Sequence, residues 1–131
     1  MANNATSIVT DFLQAVQTGN NAQLAALLHA DIIWEQPGDN AVSGLKRSAA
    51  EVFGMVGKMF ELSGNTLRLT DIRSVTANGN EVACLLNWRA TKPNGEQLNV
   101  ENIDLYTVAN GQIVRAKIYT ADEEAENRFW S

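Results

Sequence analysis

An acid set inside an apolar strand is the most chemically suggestive feature of this sequence. The stretch "VENIDLYTV", residues 100–108, places Asp104 between Ile103 and Leu105, two residues beyond Asn102. An ionised carboxylate among apolar neighbours is costly unless a partner neutralises it or a site uses it. Strand alternation sets Leu98, Val100, Asn102, Asp104, Tyr106 and Val108 on one face. Both ends of that row are apolar, so the face suits an interior into which Asn102 and Asp104 project together. Held there, Asp104 can act protonated as a donor or ionised as a base, because burial raises a carboxyl pKa. The competing reading is an ion pair across the sheet with Arg73, Arg89, Arg115 or Lys117. Both readings stand at this level.

Other residues offer less. Trp34 and Gln36 share a face of one strand and Trp88 lies on another, so they suit either the wall of a ligand pocket or ordinary core. Met55, Met59 and Phe60 would make a deformable lining, and they are also the core stripe of a helix. Glu35 points opposite Gln36 and is expected at the surface. His29, the only histidine, follows Leu28 and is expected at the C-terminus of a helix rather than in a site. Asp122 opens the acidic run "DEEAE", which reads as a helix N-terminus. Cys84 is alone in an apolar run and reads as a buried structural thiol. One histidine and one cysteine leave no metal-ligand set, and no glycine-rich loop opens a helix to cradle a phosphate. No metal and no cofactor is expected.

These residues need elements to hold them. Ile8, Val9, Phe12, Leu13 and Val16 recur at helical spacing until Gly19, and Asn21 can cap a second helix carrying Leu24, Leu27 and Leu28. "DIIWEQPG" reads as a strand closed by a turn. Ser48 and Glu51 form a capping box before a helix whose apolar face is Val52, Phe53, Val56, Met59 and Phe60. Gly54 and Gly57 weaken that helix, and close packing against another element would explain them. Four strand-like runs follow, separated by "ANGN", "KPNGE" and "ANG", which carry the residues that hairpin turns need. The tail "ADEEAENRFWS" can add a short helix that docks Phe129 and Trp130.

The order α-α-β-α-β-β-β-β with a helical tail predicts one α+β domain over residues 1–131, an antiparallel sheet covered by helices. A length of 131 residues suits a single core, and a net charge of −5 with scattered basic residues argues against nucleic acid or an anionic membrane as partner. The N-terminal stretch has neither a basic region nor a continuous apolar one, and no run is long enough to span a bilayer, so a cytoplasmic location is expected.

Several motifs resemble the nuclear transport factor 2-like superfamily, above all its SnoaL-like and ketosteroid isomerase-like members. They are "FLQAVQTGN", "LLHADIIWEQPG", "SGLKRSAAEVF" and "NIDLYTVANGQIVRAKIY", in register from about Phe12 to Phe129. The resemblance implies a cone: a strongly bent sheet wrapped on helices, an apolar pocket inside, and a homodimer formed through the outer sheet face. Residue by residue, the isomerases' tyrosine donor matches Phe12, their general base matches Gln36, and their protonated oxyanion acid matches Asp104. An amide has no basic lone pair at neutral pH, and a phenyl ring donates no hydrogen bond, so steroid isomerisation is not expected.

The expectation is therefore a protein that binds a small hydrophobic molecule, with Phe12, Trp34, Gln36, Met55, Met59, Phe60, Trp88 and Asn102 around it. Asp104 would be the acid-base group of a cofactor-independent isomerase, cyclase or dehydratase. The alternatives are a ligand-binding module without turnover and a dimeric protein-interaction module.

Overall fold

The computed structural model describes residues 4–131. Helix α1 (Asn4–Thr18) buries Ala5, Val9, Phe12 and Leu13, and Gly19 ends it in a left-handed conformation at φ +69°. Helix α2 (Asn21–Leu27) is capped by Asn20 rather than Asn21: the Asn20 side chain accepts from the Gln23 N–H at 3.2 Å. It stops a residue earlier than its apolar spacing suggests, because Leu28 is already extended and opens strand β1 (Leu28–Gln36). His29 consequently lies on a strand, not at a helix end. Its Nδ1 accepts from the Asp31 N–H at 3.0 Å, within an irregularity in the pairing of β1 between Leu28 and Ile33.

Strand β2 (Gly44–Lys46), absent from the expected order, is a three-residue strand added antiparallel to the end of β1. So short a segment carries no alternation to read. Helix α3 (Ala49–Ser63) starts where Ser48 accepts from the Glu51 N–H at 3.1 Å. The carboxylate of Glu51 reaches back to the Arg47 N–H at 2.9 Å, one residue before the cap. Gly64, left-handed at φ +62°, closes the helix, as an αL cap does. Gly54 and Gly57 are exposed, and a Cβ on either would meet nothing within 4 Å. The close packing expected for them is absent.

Strands β3 (Arg68–Asn78), β4 (Glu81–Thr91), β5 (Gln97–Ala109) and β6 (Gln112–Thr120) follow as sequential hairpins. The sheet order is β2-β1-β6-β5-β4-β3, open at both edges; every pair is antiparallel except β1 with β6, which is parallel. That junction brings Trp34 opposite Ala116, so the first strand lies within the sheet and its aromatic residue faces the interior. The fold is the expected cone-shaped α+β arrangement, with the helices against the concave face.

Helix α4 (Glu123–Phe129) begins at Asp122, which accepts from the Ala125 N–H at 3.0 Å, the capping role its position predicts. Phe129, its last residue, and Trp130, its C-cap, are buried, their rings in edge-to-face contact at 4.7 Å. Asn127 fastens α4 to the loop after β1, accepting from the Asp39 N–H at 2.7 Å and from Asn40 Nδ2 at 2.9 Å. Gly38 makes that clamp possible: it adopts φ +98°, and a Cβ there would lie 2.5 Å from Asn127 Oδ1. No helix of the described residues is long and apolar enough to cross a membrane.

Candidate functional site

Strand β5 alternates as its sequence dictates. Leu98, Val100, Asn102, Asp104, Tyr106 and Val108 are all buried, and Ile103 between them is 49 % exposed. The concave face they occupy, with α1 and α3 above it and α4 at one side, encloses a cavity of about 320 Å³. Phe12, Trp34, Gln36, Met55, Met59, Phe60, Trp88, Asn102 and Asp104 all line it, so the fold brings together every residue singled out from the sequence.

Asp104 makes no ion pair. Arg73 instead binds Glu101 at 2.9 Å, and Lys117 lies 3.8 Å from Glu35, both on the solvent side. Glu35 lies on the solvent side, opposite the cavity-lining Gln36, with its side chain 40 % exposed. Asp104 Oδ2 accepts from the Tyr106 phenol at 2.6 Å, and Asp104 Oδ1 is buried with no partner. Burial pushes the carboxyl from 3.8 up to about 7; the Tyr106 hydrogen bond opposes that, and the nearby Glu126 carboxyl adds to it. Tyr106 itself is held well above its ordinary value of 10, by burial first and then by Asp104, so it remains a donor.

Asn102 sits two residues before Asp104 on the same face, 6 % exposed, and its Oδ1 also lacks a partner. Gln36 Oε1 accepts from the Trp34 indole at 2.9 Å, which fixes both side chains and leaves the Gln36 amide nitrogen to donate. Phe12, Trp34 and Tyr106 pack as a trio with ring centroids 5.6 to 6.5 Å apart.

Among the lining residues not named as site residues from the sequence, Tyr106, Glu126 and Trp130 carry polar groups that bear on the chemistry. Tyr106 was placed on the correct face, but its two-residue spacing from Asp104 was not read as a hydrogen bond. Glu126 was absorbed into the acidic helix N-terminus, yet it lies three and four residues before Phe129 and Trp130, the spacing of one helix face. Its carboxyl is 5 % exposed, with Oε2 unpartnered. Burial raises its pKa first; Thr120 and Trp130 work against that, and Asp122 and Glu123 add to it. The Trp130 indole N–H, though near enough to favour the ionised form, closes no hydrogen bond and is a buried free donor.

The family profile described as the SnoaL-like domain matches residues 9–116. The chain belongs to the SnoaL-like family. It lies within the nuclear transport factor 2-like superfamily, as its motifs suggest. A protein of unknown function with a cystatin-like fold from Xanthomonas campestris superposes with a TM-score of 0.92 at 34% identity, covering 97% of this chain and 98% of that one. An uncharacterised protein of Mycobacterium tuberculosis is 26% identical over 117 residues, 89% of this chain and 88% of its own length. IdmH of Streptomyces antibioticus, proposed to be a polyketide cyclase, superposes at a TM-score of 0.75 and 18% identity, over 90% of this chain and 92% of that one. At that identity the last likeness speaks for the fold alone.

Proposed function

We propose that this SnoaL-like protein binds a small apolar molecule carrying a carbonyl or hydroxyl, and that Asp104 moves a proton on it. The observation carrying this reading is the pair of unpartnered oxygens, Asp104 Oδ1 and Asn102 Oδ1, buried on one face of β5 in a largely apolar cavity. Orphaned buried polar atoms are costly, and a ligand that satisfies them recovers the cost. A carboxyl titrating near 7 is present in both forms at neutral pH, as general acid-base chemistry requires. In the ionised form Asp104 takes a proton from the carbon beside the carbonyl. The Gln36 amide and the Trp130 indole N–H are donors for the developing enolate oxygen. Reprotonation elsewhere on the ligand gives an isomerase, ring closure a cyclase, and loss of a hydroxyl a dehydratase. The polyketide cyclase proposal for IdmH falls within that range.

Deuterium incorporation from D2O into 2-tetralone, followed by NMR, tests this. The wild type is expected to accelerate exchange beside the carbonyl and Asp104→Asn to abolish it. Binding of the ketone without exchange would leave a ligand-binding module. The partner proposed for the outer face is a second copy of the chain. Ile103 and Tyr119 are paired across β5 and β6 there, 49 % and 48 % exposed. A monomeric mass by light scattering would refute it.

A further inference from the structure

The cavity's charge is as informative as its shape. Asp104 and Glu126 both line it, and among its described lining residues there is no lysine, arginine or histidine. Neither carboxyl has a cationic partner in this structure, and each keeps one buried oxygen with no hydrogen bond. Asn102 presents a third unpartnered oxygen to the same space. These three acceptors face one unpartnered donor, the Trp130 indole N–H, so the cavity is short of donors, and a protonated amine brings three. The Phe12, Trp34 and Tyr106 rings beside Asp104 add faces that attract a cation.

Resting on the small-ligand reading above, we propose that the cavity selects its ligand by charge. It takes a protonated amine on an apolar body in preference to the neutral alcohol of the same shape, and it rejects the matching carboxylate. A carboxylate ligand would meet two acids and no cation in a water-poor space, and can enter only if a proton comes with it. An ammonium group does the reverse: it pairs with an ionised carboxylate, and the proton that the carboxyl held passes to solvent. Binding of the amine therefore strengthens as pH rises from 6 to 8, and binding of the carboxylate weakens. The groups that set this response are Asp104 with Tyr106 and Cys84 beside it, and Glu126 with Asp122 and Glu123.

The probes are 1-naphthylmethylamine, 1-naphthalenemethanol and 1-naphthoic acid, titrated calorimetrically at pH 6 and pH 8. The amine is expected to bind about tenfold to a hundredfold more tightly than the alcohol at pH 8, the range for a charge-assisted hydrogen bond. The acid is expected to bind more weakly than the alcohol, with the opposite dependence on pH. In the double variant Asp104→Asn with Glu126→Gln, folded by circular dichroism, the amine-to-alcohol ratio should fall to about one and both pH slopes should vanish. Equal binding of all three probes, or tightest binding of the acid, overturns the charge selection and leaves the small-ligand reading intact. Failure of all three to bind overturns both.

Discussion

Tyr106 donates to Asp104 at 2.6 Å from two residues along the same strand, so one strand carries both an acid and the group that restrains it. The phenol occupies Oδ2 and leaves Oδ1 turned to the cavity without a partner. The hydrogen bond favours the carboxylate, against a stronger effect of burial.

Removing that donor should move the acid in a defined direction. Tyr106→Phe is expected to raise the Asp104 pKa above its value of about 7, because the one interaction favouring the ionised form is lost. Carbon-13 NMR titration of the labelled carboxyl reads this directly, and an unchanged or lowered midpoint would contradict the assignment.

Stability should fall as pH rises through the same interval. Below about pH 4 the Asp104 carboxyl is protonated in both folded and unfolded chains. Between there and about pH 7 the folded chain keeps a proton that the unfolded chain has lost, so stability decreases with pH, and above that window the loss is complete. The full effect is on the order of 4 kcal/mol by linkage. Glu126, also raised, acts with the same sign. Urea denaturation across pH 4 to 8 should show a shallower slope for Asp104→Asn, and that variant should be the more stable protein at pH 8.

The clamp on α4 should fail when its glycine is filled. Gly38→Ala places a Cβ against Asn127 Oδ1 in a backbone region that disfavours side chains, and a loss of roughly 2 kcal/mol is expected. Asn127→Ala removes two accepted hydrogen bonds and should cost about 1–2 kcal/mol. Both should speed hydrogen exchange in α4 more than in β4, and uniform acceleration would refute a local role.

Filling the helical glycines should have the opposite sign. Gly54→Ala and Gly57→Ala meet open space in the middle of α3, so each should stabilise by about 0.4–1 kcal/mol, visible as a higher melting temperature. Destabilisation by either would reveal a contact that this structure lacks.

Cys84 should be inert in the folded protein. It is 1 % exposed, and burial, with a smaller contribution from Asp104, pushes its thiol up to about 12. Iodoacetamide at pH 8 should label it only at the rate of unfolding, and rapid native labelling would show that the β4–β5 region opens.

The reach of the sequence reading follows from what each pattern encodes. Period-two alternation in β5 placed Asp104 and Asn102 correctly, because one buried face fixes every side chain on the strand. Hairpin turns such as Asn110–Gly111, both at positive φ, gave the meander from residues 68 to 120. Strand β2 escaped because three residues show no period, and His29 was misplaced because the α2–β1 junction has no intervening loop. Glu126 was passed over because acidic residues near a helix start already have an electrostatic reason to be there. Its second role came only from packing against Phe129 and Trp130, which local charge does not encode.

The parallel seam between β1 and β6 has a consequence for assembly. The hairpins from β3 to β6 join neighbours in the chain, whereas pairing Trp34 with Ala116 closes a far longer loop at a larger entropy cost. Since Trp34 and Asp104 line the hollow from opposite sides of that seam, the hollow is complete only where the seam is made. A molecule lodged in it would tie the first strand to the last hairpin and stabilise the finished fold in proportion to its occupancy.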